Sequence, residues 1–258
     1  MCKFFSIISD GNGKPYYFDS KIRKEIIDGK LKYETDSHSS IADYFGFKGE
    51  KEDVLNKYEF NPLTKVFKID QLNTTNDSEI IKDFCMSLDF KTIVPELNIK
   101  KIIHPFEDIK TKKVTKKDIE LLKKWDSVRA SVGDSVRASV WDSVGDSVGD
   151  SVWASVRASV RASVWASVWA SVKDSVRASV WASVRASVWA SVRASVWAYE
   201  SSFYNLDKWK YIEHKKGDNP LQSCIDLWER GLVPSFDGKV YRLHGHKGKV
   251  IYTWEKIK

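Results

Sequence analysis

From Asp126 to Trp197 the chain repeats one tetrapeptide 18 times, and this strict four-residue period constrains the backbone more than any other feature of the 258 residues. Every unit keeps Ser second and Val third, takes Ala or Asp first, and takes Trp, Arg, Gly or Lys fourth. A period this short marks a repeat architecture in which each unit buries its apolar side against its neighbours. Two backbones compete for it. On an α-helix four residues advance about 400°, so the Val stripe drifts about 40° per unit and circles the helix in about nine units. No straight partner covers a stripe that drifts so far. Ser, Val and the internal Gly133, Gly145 and Gly149 also lower helix propensity. On an extended backbone four is a multiple of two, so register never slips. The first and third residues then face inward, and Ser and the fourth residue face outward. The expectation is a mostly β protein with α+β caps around a central tetrapeptide-repeat β-solenoid. One long repeat α-helix is the alternative.

The flanks read as small α+β modules. Residues 1–110 form a head domain, 115–125 a capping helix, 126–198 the solenoid and 199–258 a C-terminal cap. In the head, Phe4 to Ile8 and Tyr16 to Phe18 are short β-rich runs around Asp10-Gly11-Asn12-Gly13-Lys14, a sequence suited to a hairpin turn. Ser20 to Ile27 and Ser78 to Met86 have helical spacing, Ser39 or Ser40 caps a short helix through Tyr44, and Val66 to Ile69 reads as a strand. Thr115 followed by Asp118 is a capping box for the helix that leads into the repeat. After the repeat, Asn219 to Arg230 places Leu221, Cys224, Ile225 and Trp228 on one helical side. Strands follow on either side of an Asp237-Gly238 turn, with a last one from Val250 to Trp254.

The Ala-Ser-Val spacing resembles the inward small, outward polar and inward aliphatic residues of pentapeptide-repeat proteins, shortened by one residue. That resemblance implies a quadrilateral solenoid of about four to five coils, roughly 20 Å long at about 4.8 Å per layer. It departs from the pattern at Asp126, Asp134, Asp142, Asp146, Asp150 and Asp174, where a carboxylate stands in the small inward place. Burial there without a partner costs several kcal/mol. The whole chain also resembles uncharacterised proteins of bacteriophages and prophages. The residues that carry this are its Cys-Lys-Phe-Phe start, the repeat, and the stretch from Leu227-Trp228-Glu229-Arg230-Gly231 to His244. This second resemblance implies a viral origin and assigns no activity, cofactor or site residue.

Charge decides how far a nucleic-acid reading can go. The chain carries +7 overall, but its repeat holds seven Arg and one Lys against six Asp, a net of only +2. Such a diffuse charge permits nucleic-acid binding without requiring it. The fourth place is nevertheless the most suggestive chemistry. Trp153, Arg157, Arg161, Trp165, Trp169, Arg177, Trp181, Arg185 and Trp189 are the candidate binding residues. Indole planes stack bases at about 1–3 kcal/mol each, and guanidiniums contact phosphates. Stacking of Trp on Arg within the repeat is the competing explanation, and slippage of a twelve-base DNA repeat would generate the same residue menu.

Other constellations are thin. Cys2, Cys85 and Cys224 are few and far apart, so the expectation is a reducing cytoplasm and no disulfide framework. Neither a signal peptide nor a membrane span is expected from the apolar runs. Cys224 with His244 and His246 lacks zinc spacing, and solvated loop histidines explain the pair better. An exposed N-terminal Cys2 is the only route to a hydrolase, with no companion motif. The sequence thus points to a non-enzymatic repeat protein without cofactors. It acts as an interaction or structural module on an unknown macromolecule or on itself, with nucleic-acid binding by the Trp/Arg ladder as the alternative.

Overall fold

A computed structural model describes residues 5–47, 49, 53–95, 97–144, 152–154, 164 and 192–256, of which 141–144 by backbone alone. Two compact units divide the chain: Met1–Lys101 with Val140–Ser155, and Ile102–Ser139 with Val156–Lys258.

The first unit is built on a four-stranded antiparallel sheet in the order β2-β1-β3-β4. Its strands are β1 (Phe5–Ser9), β2 (Pro15–Tyr16), β3 (Asn56–Asn61) and β4 (Val66–Gln71). Pairing of Ser9 with Pro15 makes Asp10–Lys14 the expected hairpin loop. Gly11 in that loop sits at φ 81°, and a Cβ there would meet the Thr74 methyl at 2.6 Å, so only glycine fits. Helix α1 (Ser20–Ile27) runs where its spacing predicts, with the Asp19 carboxylate accepting from the Ile22 N–H. Helix α2 (His38–Tyr44) is capped by Ser37, slightly before the expected serines. Helix α3 (Ser78–Ser87) also falls where expected, and a short α4 (Phe90–Ile93) follows. Ile8, Phe18, Ile41, Ala42 and Leu55 form a core, with Tyr16, Ile22, Ile26, Tyr33 and Phe47 packed around it.

The second unit begins with α5 (Lys116–Val128), opened by the Thr115–Asp118 capping box in both directions. A 3-10 turn, Arg129–Ser131, links it to α6 (Val132–Val144), of which the part up to Ser139 belongs to this unit. Residues 192–201 form a further helix, α7, and α8 (Gln222–Glu229) packs on α5. The sheet β5-β6-β7 (Val233–Phe236, Val240–His244, Val250–Glu255) completes the expected αβββ element. Leu221, Cys224, Ile225 and Trp228 are all buried, as their spacing predicts. Trp228 stacks on Tyr199 at 4.7 Å, and both hold Ile103: its N–H donates to the Tyr199 hydroxyl, and its carbonyl accepts from the Trp228 indole. Arg230 locks α8 to the start of α5 through Asp118, at 2.5 Å.

The β-solenoid expectation is overturned. The protein is mixed α/β, and every described repeat residue, 126–144, 152–154, 164 and 192–198, is α-helical or 3-10. Single-helix geometry fails as well. Gly133 and Trp197 are 64 positions apart in the sequence and would be separated by about 96 Å on one helix. Instead, a Cβ on Gly133 would lie 2.1 Å from the Trp197 ring. Drift explains how helices tolerate the period. Val132, Val136 and Val140 are all at most 5% exposed, and three successive units spread by only about 80°, within one apolar face. Burying each Val stabilises by about 1.5–3 kcal/mol, which exceeds the few tenths lost in propensity. The inward residues are consequently the adjacent Ser and Val: Ser135, Ser139 and Ser195 are buried beside Val136, Val140 and Val196. Asp134 is exposed and Asp126 half-buried, which removes the cost of an inward carboxylate at both.

Candidate binding groove at the ends of the repeat

The first repeat unit is tied down by its own polar residues. Asp126 accepts from the Tyr241 hydroxyl at 2.5 Å and pairs with Lys256 at 2.7 Å. Burial pushes its carboxyl up, but the Lys256 and Tyr241 bonds outweigh that and hold it below the usual carboxylate range. Burial and the same bond to Asp126 push the Tyr241 phenol up. Arg129, one helical turn on, donates Nε–H to the Tyr241 hydroxyl at 3.1 Å and lies 4.6 Å over the Phe236 ring. Phe236, Tyr241 and Trp254 themselves stack at 4.3 and 5.3 Å, so Arg129 rests on a rigid aromatic ladder of the C-terminal sheet.

The last units are anchored by other means. Val192 and Val196 are buried, and the Ser195 hydroxyl donates to the Pro234 carbonyl at 2.6 Å. This presents Arg193 and Trp197, at i and i+4, on one side of α7. The Arg193 guanidinium lies over the Trp197 indole, 4.2 Å from the ring centroid. Its Nε–H is buried and meets no acceptor among the described residues. The indole edge fills the space left by the missing side chain of Gly133.

Between these two ends opens a groove of about 310 Å³, lined by Arg129, Ala130, Val132, Gly133, Asp134, Arg193, Ala194 and Trp197. Arg129, Gly133, Arg193 and Trp197 are all fourth-place residues, the one place where the repeat varies among four residue types. Two guanidiniums face one carboxylate, Asp134, so the lining is net positive. The indole is engaged by Arg193 and Gly133, which makes it a support for the cation. A guanidinium held this way keeps its edge N–H donors in the plane that matches an oxyanion.

Of the residues expected from sequence, Trp153 is half-buried. Arg157, Arg161, Trp165, Trp169, Arg177, Trp181, Arg185 and Trp189 lie outside the described residues, as does Cys2. The groove residues belong to the same ladder, but nothing local identifies Arg129 with Arg193 and Trp197. A fourth-place Gly as the slot for a fourth-place Trp is the signal that links the two ends.

The remaining constellations are closed. His244 is fully buried, with its ring nitrogens 2.8 Å from the Ser235 hydroxyl and 3.0 Å from the Gly248 carbonyl. Burial pushes its pKa down to about 4. His246 Nδ1 lies 3.0 Å from the Phe106 carbonyl, and Cys224 is buried with its thiol pushed up by desolvation. Solvated loop histidines were expected, so the interior place of His244 is a departure. No cluster of three or more His, Cys, Asp or Glu residues suited to a metal occurs among the described residues. In the first unit the buried Asp77 collects donors from Ser9, Gly13, Asn56 and Tyr58.

No family model, curated protein or solved structure matches this chain. Among the described residues no helix is long and apolar enough to cross a membrane.

Proposed function

We propose that this protein is a non-enzymatic interaction module of phage type, which takes an anionic partner with guanidiniums displayed by its repeat. The observation that carries this reading is the convergence of four fourth-place residues, two of them arginines, on one groove from opposite ends of the repeat. A place that varies in charge and shape on a constant Ser-Val scaffold is suited to a binding surface where its members line a groove. Free, buried Cys85 and Cys224 fit the reducing cytoplasm that the reading assumes.

Elution of the full chain from a heparin matrix tests it. Arg193→Gln is expected to elute at clearly lower salt than the parent, because the groove attraction is electrostatic and screened. Lys124→Gln removes one exposed positive charge outside the groove and is the control. Equal shifts for the two variants would mean that net charge alone holds the polyanion, and the groove reading would be abandoned.

A further inference from the structure

Resting on that reading of the groove, we infer that its ligand is a phosphate group, gripped by Arg193 and Arg129 together. Three observations point to phosphate. Arg193 has a buried Nε–H without an acceptor and no ionic partner among the described residues, although it lines an open groove. Such a donor is what an incoming oxyanion satisfies. Arg129 lines the same groove, and its Nε is already committed to Tyr241 and its face to Phe236. Its fork is therefore oriented before any ligand arrives. A carboxylate presents two oxygens in one plane, which match a single guanidinium fork, whereas the tetrahedral oxygens of a phosphate accept from two forks lying in different planes. Asp134 on the same lining opposes the anion and limits its affinity.

The phosphate arises either free or as the diester of a single-stranded nucleic acid, and the groove chemistry is the same for both. Isothermal titration of the full chain with inorganic phosphate, and separately with a short oligothymidylate, distinguishes the sources. The expected result is saturable binding of at least one of them that weakens about tenfold or more in Arg193→Lys, because an ammonium keeps the charge but loses the fork. Asp134→Asn is expected to tighten binding. Phosphate and oligothymidylate binding together indicates a site that accepts the isolated group; oligothymidylate alone indicates a diester reader. Circular dichroism of each variant confirms that the helices are retained. Polyglutamate binding as tight as oligothymidylate and equally sensitive to Arg193→Lys would overturn the inference, as would titrations in which neither phosphate source binds. If the heparin difference between Arg193→Gln and Lys124→Gln persists in that case, the anionic groove stands and only its phosphate assignment falls. If that difference is also absent, both fall.

Discussion

Asp77 in the first unit and Arg193 in the second are charged side chains with polar atoms withdrawn from water, and these atoms are treated in opposite ways. Asp77 is 5% exposed, and each side of its carboxylate is met: the Ser9 hydroxyl and Gly13 N–H on one oxygen, the Asn56 amide and Tyr58 hydroxyl on the other. Burial pushes its carboxyl up, but these four donors more than offset that and hold it ionised below the usual range. Asn56 spreads the network further, donating to the Thr75 carbonyl and accepting from the Asn73 and Thr74 N–H groups. The hairpin loop and the approach to α3 are thereby fixed to β3. Arg193, by contrast, is supported from one side by an indole and left with an orphan donor at a groove. A buried polar group left unmade costs about 1–3 kcal/mol, so a fold keeps one only where something else benefits. The difference separates scaffold from proposed site: satisfied charge holds loops in place, and unsatisfied charge at an opening is what the proposed binding role draws on.

The sharpest way to break this contrast is Asp77→Ala. It strands three side-chain donors and a backbone N–H at once, and urea unfolding is expected to show a loss of about 3–5 kcal/mol. Heparin elution of the same variant should match the parent. A scaffold residue whose loss shifted elution as far as Arg193→Gln would erase the distinction.

His244 extends the comparison into the second unit, as a buried group with both ring nitrogens engaged. Its folded pKa of about 4, set by burial and by Arg242 nearby, lies below the unfolded value of 6.5. Between these values only the unfolded chain binds the proton, so stability is complete above about pH 6.5 and declines as pH falls toward 4. The loss at the lower limit is on the order of 3 kcal/mol. Urea midpoints measured across that window should fall for the parent and stay flatter for His244→Leu. The lowered carboxyls of Asp77, Asp118, Asp126 and Asp237 act at lower pH and do not mask the effect.

Gly133→Ala tests the groove wall itself. Alanine gains about 1 kcal/mol in helix propensity, but its methyl would fall 2.1 Å from the Trp197 ring and displace it, at a cost of about 1–3 kcal/mol. The expected net change is a modest destabilisation. In a Trp197→Ala background the clash disappears and the same substitution should become stabilising. Identical signs in both backgrounds would mean that the two residues do not meet.

Much of the flanking structure was legible because its signals are local. The Asp10–Lys14 turn, the helix at Ser20–Ile27, the Thr115–Asp118 box and the strand–turn–strand around Asp237-Gly238 each announce themselves within a few residues. Strand β3 was not legible. It lies between β1 and β4 yet carries Asn56 and Glu59, buried polar residues that hide the expected alternation, and Asn56 is accommodated only through loop partners about 20 residues away. The repeat failed for a different reason. Its period was plain, but preference for an extended backbone assumed one long element. Short helices need only three Val on a face, and the slot at Gly133 for Trp197 is a contact between distant positions that no local pattern encodes. The groove followed the same rule. The fourth place was recognisable as the one that carries Trp and Arg, while which of its members meet was a property of the tertiary fold.

The central claim is that the two ends of the repeat come together to build one groove. Spin labels on Ala130→Cys and Ala194→Cys, in a Cys2→Ser background with Cys85 and Cys224 left buried, measure it directly. A single short separation is expected, set by the reach of the labels across the groove. A population approaching the roughly 96 Å that 64 helical residues would span, or a broad distribution with no short component, would contradict it.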